Sequence, residues 1–257
     1  MDERLERAQY SGMENRPVFA ERRNRLPKIS AVILDYGQVV ARSPTREEFA
    51  PMAKMFNLSF EEFFKLWEAT RDTYDRGDVT PEQYWRKLAA ESDSSMDSDR
   101  IKILRQIEVE IWAHLDPDIL AWMSQLRAAG MKLGLLSNMP GDLIQYLRTN
   151  CDWMQNFAFQ TFSSEVRLIK PDPAIYKHTL LGLGVPAAEA LFVDDREVNI
   201  EAARGLGIHA IQFRSTAQLR NELEALGFPV LPSVSESSAA ANSSDQAQQE
   251  TKFSALL

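Results

Sequence analysis

Short apolar runs and amphipathic stretches alternate along the middle of this chain. The runs at 29–34, 131–136, 157–162, 190–193 and 209–213 have strand length, and several are apolar at consecutive positions rather than at every second one. Apolar residues on both faces are what a doubly covered strand needs, so these runs predict a parallel sheet between two layers of helix. The stretches between them carry helix signals. Asp116 and Pro117 mark a start, Ile119, Leu120, Met123 and Leu126 form one apolar face, and Gly130 follows the end. From Pro173 onward, Ile175, Tyr176, Thr179, Leu180 and Leu183 share a face in the same way. Strand alternating with helix predicts an α/β fold.

The alternation breaks once, between residues 44 and 114, where every signal is helical. Phe49, Met52, Ala53 and Phe56 follow helical spacing, and so do Phe60, Phe63, Phe64 and Trp67. Ser59 with Glu62, and Thr80 with Pro81 and Gln83, have the form of capping-box starts. A helical insertion directly after the first strand predicts a small second domain over the sheet, at the carboxyl edge where such sheets bind ligands. The expected organisation is an N-terminal arm over 1–28, a core formed by 29–43 and 115–226, a helical cap over 44–114, and a tail over 227–257. Residues 232–251 are Ser, Ala, Gln and Glu in low-complexity order, too polar to offset the entropy of ordering, so the tail is expected to be disordered.

Composition narrows the function classes. The 257 residues carry 29 Lys and Arg against 37 Asp and Glu, a net charge of −8, with no basic stripe, which argues against a broad nucleic-acid surface. No run of eighteen apolar residues suggests a membrane span. The single cysteine, Cys151, excludes an intrachain disulfide and any CxxC motif, and the charged N-terminus lacks a signal-peptide core. A cytoplasmic protein with a small-molecule partner is expected, with no nucleic acid and no membrane; its oligomeric state is left open.

The candidate chemistry lies at strand ends. Asp35 follows the first apolar run, Ser137 and Asn138 end the second, and Asp194 and Asp195 end the fourth, while Lys170 stands at the start of the helix that begins near Pro173. In a parallel sheet these ends collect on one edge. Adjacent carboxylates repel unless a cation lies between them, and an all-oxygen site with few protein ligands suits Mg²⁺. Asp35 could then act as a nucleophile, with Ser137 and Lys170 holding phosphoryl oxygens.

The four elements in this order, with a helical insertion after the first, resemble the haloacid dehalogenase-like hydrolase superfamily, subfamily IA. Asp35 to Val39, Leu136-Ser137-Asn138, Lys170-Pro171-Asp172-Pro173 with Ile175 and Tyr176, and Phe192-Val193-Asp194-Asp195 with Asn199 carry the resemblance, over about residues 29 to 226. They are similar to the branch that contains bacterial glucose-1-phosphate phosphatase and the N-terminal phosphatase domain of soluble epoxide hydrolase. The resemblance implies a Rossmann-like sheet with helices on both faces and an inserted helical cap. It implies an aspartyl-phosphate on Asp35 and Mg²⁺ at Asp35, the Gly37 carbonyl and Asp195, with Asp194 alongside. Ser137, Asn138 and Lys170 would bind the phosphate of a small phosphorylated metabolite, and Arg42 is a further candidate for substrate binding.

Gly37 departs from the superfamily's common pattern, which has a second Asp there as general acid and base. Such catalysis is worth roughly 10² to 10⁴ in rate. Another group or water supplies the proton, or the substrate has a good leaving group, or the activity is weak. Two rival functions stay open. A metal-independent 2-haloacid dehalogenase would use the same nucleophile and lysine, but Asp194 and Asp195 argue against it. A catalytically weak domain that binds a phosphometabolite or a protein is the other. Trp67, Tyr74 and Trp85 are expected in the core, residues 74–78 in a turn that uses Gly77, and Cys151 as an inert thiol; His114, His178 and His209 have no metal-site spacing.

Overall fold

The computed structural model describes residues 28–229. Its strands are β1 (Ala31–Leu34), β2 (Lys132–Ser137), β3 (Phe159–Phe162), β4 (Ala190–Asp194) and β5 (His209–Gln212). They form one sheet in the order β3-β2-β1-β4-β5 with every neighbouring pair parallel, as the apolar runs predict. Between β1 and β2 the chain forms α1 (Arg46–Met55), α2 (Phe60–Asp75), α3 (Pro81–Glu91), α4 (Ser98–Trp112) and α5 (Pro117–Ala128). Then α6 (Gly141–Asn150) follows β2, the short α7 (Ser163–Val166) and α8 (Pro173–Leu183) follow β3, α9 (Glu197–Gly205) follows β4, and α10 (Thr216–Ala225) follows β5.

Alternating residues of each strand feed two cores. Val32, Leu34, Leu133, Leu135, Leu191 and Val193 face α5, α6 and α10, where Trp122, Leu147 and Leu219 are fully buried. Ala31, Ile33, Leu136 and Phe192 face α8 and α9, against Ile175, Tyr176 and Ile200. This two-sided burial explains why polar positions are scarce in the strands, and it leaves only their ends free for chemistry. Trp122 also donates to the Pro229 carbonyl at 3.0 Å, and Phe228 packs into the first core, so ordered chain continues past residue 226. The expected arm and tail otherwise lie outside the described residues.

Helices α1 to α4 enclose a separate core around Phe56, Phe63, Trp85, Leu88 and Leu104. Ser59 and Thr80 cap their helices through reciprocal boxes with Glu62 and Gln83, which is why these helices start where the sequence signals place them; Thr45 and Glu48 form a third such box, which was not among those signals. The segment leaves and rejoins the sheet layer through two adjacent strands of linker: the Arg42 amide donates to the His114 carbonyl at 2.8 Å, and the Asp116 amide to the Val40 carbonyl at 2.9 Å. One local expectation differs. Tyr74 and Asp75 belong to the last turn of α2, because Tyr74 is buried and Asp75 pairs with Arg71 one turn back; the turn itself is Arg76 to Asp78, with Gly77 at φ +76°. A Cβ on Gly77 would lie 2.8 Å from the Ser164 carbonyl oxygen, so the end of α2 presses closely on α7. Among the described residues no helix is long and apolar enough to cross a membrane.

Candidate active site

The register of the sheet assembles the site. Leu34 pairs with Val193, and the Asp35 amide extends the ladder to the Val193 carbonyl at 2.9 Å, which sets Asp35 beside Asp194. β2 delivers Ser137 to the same edge. Lys170 reaches it from the loop before α8, and its backbone is held by Asn138: Nδ2 donates to the Lys170 carbonyl at 3.0 Å, and Oδ1 accepts from the Lys170 amide at 2.8 Å.

The Lys170 ammonium is buried between two carboxylates, 2.9 Å from Asp35 Oδ1 and 2.6 Å from Asp194 Oδ2. Asp194 is fully buried and also accepts from the Arg196 amide at 2.8 Å and from Asn199 Nδ2 at 2.9 and 3.1 Å. Both Asp194 oxygens are engaged, so Asp194 holds Lys170 while standing in the same acidic group as Asp35 and Asp195. Asp195 is half-buried and accepts from Gln38 Nε2 at 2.8 Å. Gln38 itself sits in the left-handed region at φ +60° and accepts from the Ser43 hydroxyl at 3.0 Å. No sequence signal marked this residue.

Oxygens of Asp35, Asp194 and Asp195 lie within 4.8 Å of one another. Burial raises the Asp35 carboxyl to about 7, against the attraction of Lys170 and with the help of Asp194 and Asp195. Burial likewise raises Asp195 to about 6, with repulsion from Asp194 adding to it. Burial works against the charge on Lys170, but Asp194 and Asp35 outweigh it and keep the ammonium protonated. Three carboxylates around one ammonium leave the group short of positive charge. The carboxylate oxygens that Asp35, Asp194 and Asp195 bring together are hard donors, so the group fits a hard divalent cation.

Asp35, Gly37, Ser137, Lys170 and Asp195 floor a cleft of about 340 Å³ whose roof is made by Phe49, Phe64, Trp67, Arg71, Asp75 and Trp112. Among the described residues the Ser137 hydroxyl has no hydrogen-bond partner, so it is available to an anion in the cleft. Trp85 and Tyr74 are core residues as expected, whereas Trp67 serves both the cap core and the cleft. Arg42 is not brought to the site. Its guanidinium is taken by Glu48, with Nη1 2.9 Å from Oε2, and this pairing holds the Glu48 carboxyl down at about 2. Cys151 is buried and its thiol is pushed up to about 11, in keeping with an inert residue.

Gly37 has ordinary extended backbone, with φ −63° and ψ 129°. A Cβ there would meet the Trp112 ring at 3.5 Å, a normal contact, so neither backbone nor packing demands glycine.

The parallel sheet thus carries an acidic group and a buried lysine at one edge, under a roof of helices. The family model of haloacid dehalogenase-like hydrolases matches residues 18–207, and the chain belongs to that family. It is 39% identical over 85 residues to bifunctional epoxide hydrolase 2 of Rattus norvegicus, a match covering 32% of this chain and 15% of that protein. It is 34% identical over 103 residues to phosphoglycolate phosphatase of Yersinia pestis, covering 40% of this chain and 44% of the relative. The chain therefore spans less than half the length of either of these two relatives. In fold it is similar to a HAD family enzyme of Bacteroides thetaiotaomicron, with TM-score 0.61 and 21% identity over 73% of this chain and 95% of the other.

Proposed function

We propose that this chain is a Mg²⁺-dependent phosphomonoester hydrolase that acts on a small phosphorylated metabolite through an aspartyl-phosphate on Asp35. The observation that carries it is the acidic group itself: an Asp35 nucleophile flanked by Asp194 and Asp195 with only Lys170 for balance. A carbon-centred displacement needs no such surplus, whereas a phosphate ester brings more anionic oxygens and needs a cation beside it. Mg²⁺, when bound at Asp35, Asp195 and the Gly37 carbonyl, supplies charge neutralisation between the nucleophile and the phosphoryl group.

The chain's own groups then have distinct tasks. Lys170 keeps Asp35 in place and offers its remaining proton to a phosphoryl oxygen, while the Ser137 hydroxyl donates to another. Asn138 and Asp194 fix Lys170, so their part is positional. Gln38 orients Asp195. The aromatic roof of Phe49, Phe64, Trp67 and Trp112 lies over the position of the ester's organic part and keeps bulk water from the acyl phosphate. The small cleft supports a small-molecule partner, without nucleic acid or membrane, and we place the protein in the cytoplasm.

A panel of phosphomonoesters assayed with and without Mg²⁺ tests this function. Hydrolysis is expected to require Mg²⁺ and to vanish on chelation. Asp195→Asn should raise the Mg²⁺ requirement by at least about 10- to 100-fold, since losing even a group that only supports a ligand costs that much. Asp172→Asn should not, because Asp172 only caps α8 by accepting from the Ala174 amide at 2.8 Å. Undiminished activity in chelator, together with chloride release from 2-chloropropionate, would instead identify a dehalogenase; no turnover of either substrate class would leave a binding domain.

A further inference from the structure

We infer that Asp75, carried to the cleft by the cap, is the general acid and base that position 37 lacks. The inference rests on phosphomonoester hydrolysis at Asp35. Three cap carboxyls line the cleft, Glu68, Asp72 and Asp75. Glu68 and Asp72 are exposed on α2, whereas Asp75 is buried at its last turn. Its two oxygens are in different situations. Oδ1 accepts from Arg71 Nε at 3.0 Å and Nη2 at 2.8 Å. Oδ2 has no hydrogen-bond partner among the described residues, and the residue faces the cleft.

The position of Asp75 is fixed to the phosphate-binding edge. Its backbone carbonyl accepts from the Ser163 hydroxyl, and Ser163 Oγ in turn accepts from the Met139 amide at 2.9 Å, directly after Ser137 and Asn138. The close approach of Gly77 to Ser164 makes a second contact of the same two elements. Arg71 cannot move away with its partner, because it is buried, it also pairs with Glu108, and it stacks over Trp67 and Tyr74 at 4.6 and 5.0 Å. A carboxyl on the roof, opposite the nucleophile on the floor, is where a leaving oxygen needs a proton.

Burial raises the Asp75 carboxyl above the ordinary range, opposed by Arg71 and by Arg196 from the loop after β4, and assisted by Asp72. Glu108 of α4, likewise raised by burial, Tyr84 of α3 and Tyr74 of α2 also face Arg71, and Asp142 of α6 acts on Glu108 from the other side. Two carboxyls therefore share one guanidinium, and a proton can reside on the pair. As Asp35 attacks phosphorus, the bond from phosphorus to the leaving oxygen breaks, and the Asp75 proton passes to that oxygen. Water then attacks the phosphorus of the acyl phosphate and gives its proton to the Asp75 carboxylate. The bond to Asp35 breaks, phosphate leaves, and both carboxyls return to their starting states.

Single-turnover rates for aryl to alkyl phosphates in saturating Mg²⁺ test the assignment. Asp75→Asn is expected to slow alkyl phosphates by about 10²-fold while nitrophenyl phosphate changes only a few fold, so the dependence on leaving-group pKa steepens. Adding Gly37→Asp to that variant should recover at least about 10-fold on alkyl phosphates, since the space beside Trp112 admits a side chain. Asp75→Glu keeps the charge that Arg71 needs but displaces the acid by one methylene; should Asp75→Asn fail to fold, this variant must show a smaller steepening in the same sense. An active parent whose slope is unchanged in these variants, or an equal loss across the whole series, overturns the role of Asp75 alone. A parent inactive on every phosphomonoester overturns this role and the function beneath it together.

Discussion

Asp35→Asn is expected to lower turnover by more than about 10⁴-fold while leaving the fold intact, because an amide cannot attack phosphorus and is a weaker ligand for a hard cation. The same substitution should not cost stability. Asp35 is a buried carboxyl that shares one ammonium with Asp194 and lies near Asp195. Its folded pKa of about 7 lies above the ordinary 3.8, so between these values the folded protein binds the extra proton and stability falls as pH rises. In chelator, the stability of Asp35→Asn relative to the parent should therefore be unchanged below about pH 4 and grow as pH rises toward 7. Urea unfolding at pH 4 and pH 7 measures this. A loss of stability at pH 7 would mean that Asp35 is held for structural reasons.

Lys170→Met is expected to fail in both respects. The ammonium is buried, only 4% exposed, with Asp35 at 2.9 Å and Asp194 at 2.6 Å. Removing it leaves two desolvated carboxylates facing each other with no counter-charge, and breaking a buried pair in this way costs about 3 to 5 kcal/mol. Turnover should fall by at least about 10³-fold, because the nucleophile loses its orientation and the phosphoryl oxygens lose a donor. Lys170→Arg should not rescue it, since a planar guanidinium cannot occupy the point between Asp35 and Asp194. Near-parental stability of Lys170→Met in chelator would contradict the electrostatic account of the site.

The contrast between these two variants bears on what the sequence could reveal. The strands were legible because residues such as Val32, Ile33 and Leu34 are apolar in succession, and the cap helices because Phe49, Met52, Ala53 and Phe56 share a face and Ser59 and Thr80 cap with partners at fixed spacing. Strand-end placement brought Asp35, Ser137, Asp194 and Asp195, and the loop before α8 brought Lys170, to one cleft or its immediate support. What the chain order could not show was which partner takes each side chain. Arg42 follows the first strand closely, yet Glu48 in the first turn of α1 takes it because that carboxylate is already placed by the capping box. Trp67 has the spacing of a core residue, and helical spacing is the same for a core face and a cleft wall. Asp75 was obscured by Gly77, which suggested a turn; the i, i+4 spacing of Arg71 and Asp75 was the signal that the helix continues to it. Gln38 had no local signal, since its task depends on β4 bringing Asp195 across from a distant part of the chain.

The most direct measurement is a rapid acid quench of the enzyme during turnover of a phosphomonoester with Mg²⁺, followed by mass spectrometry of the peptide that contains Asp35. One added phosphoryl group on that peptide, located to Asp35 and absent in Asp35→Asn, is expected. A phosphoryl group on another residue, or an active enzyme that never carries one at any quench time, would contradict nucleophilic catalysis by Asp35.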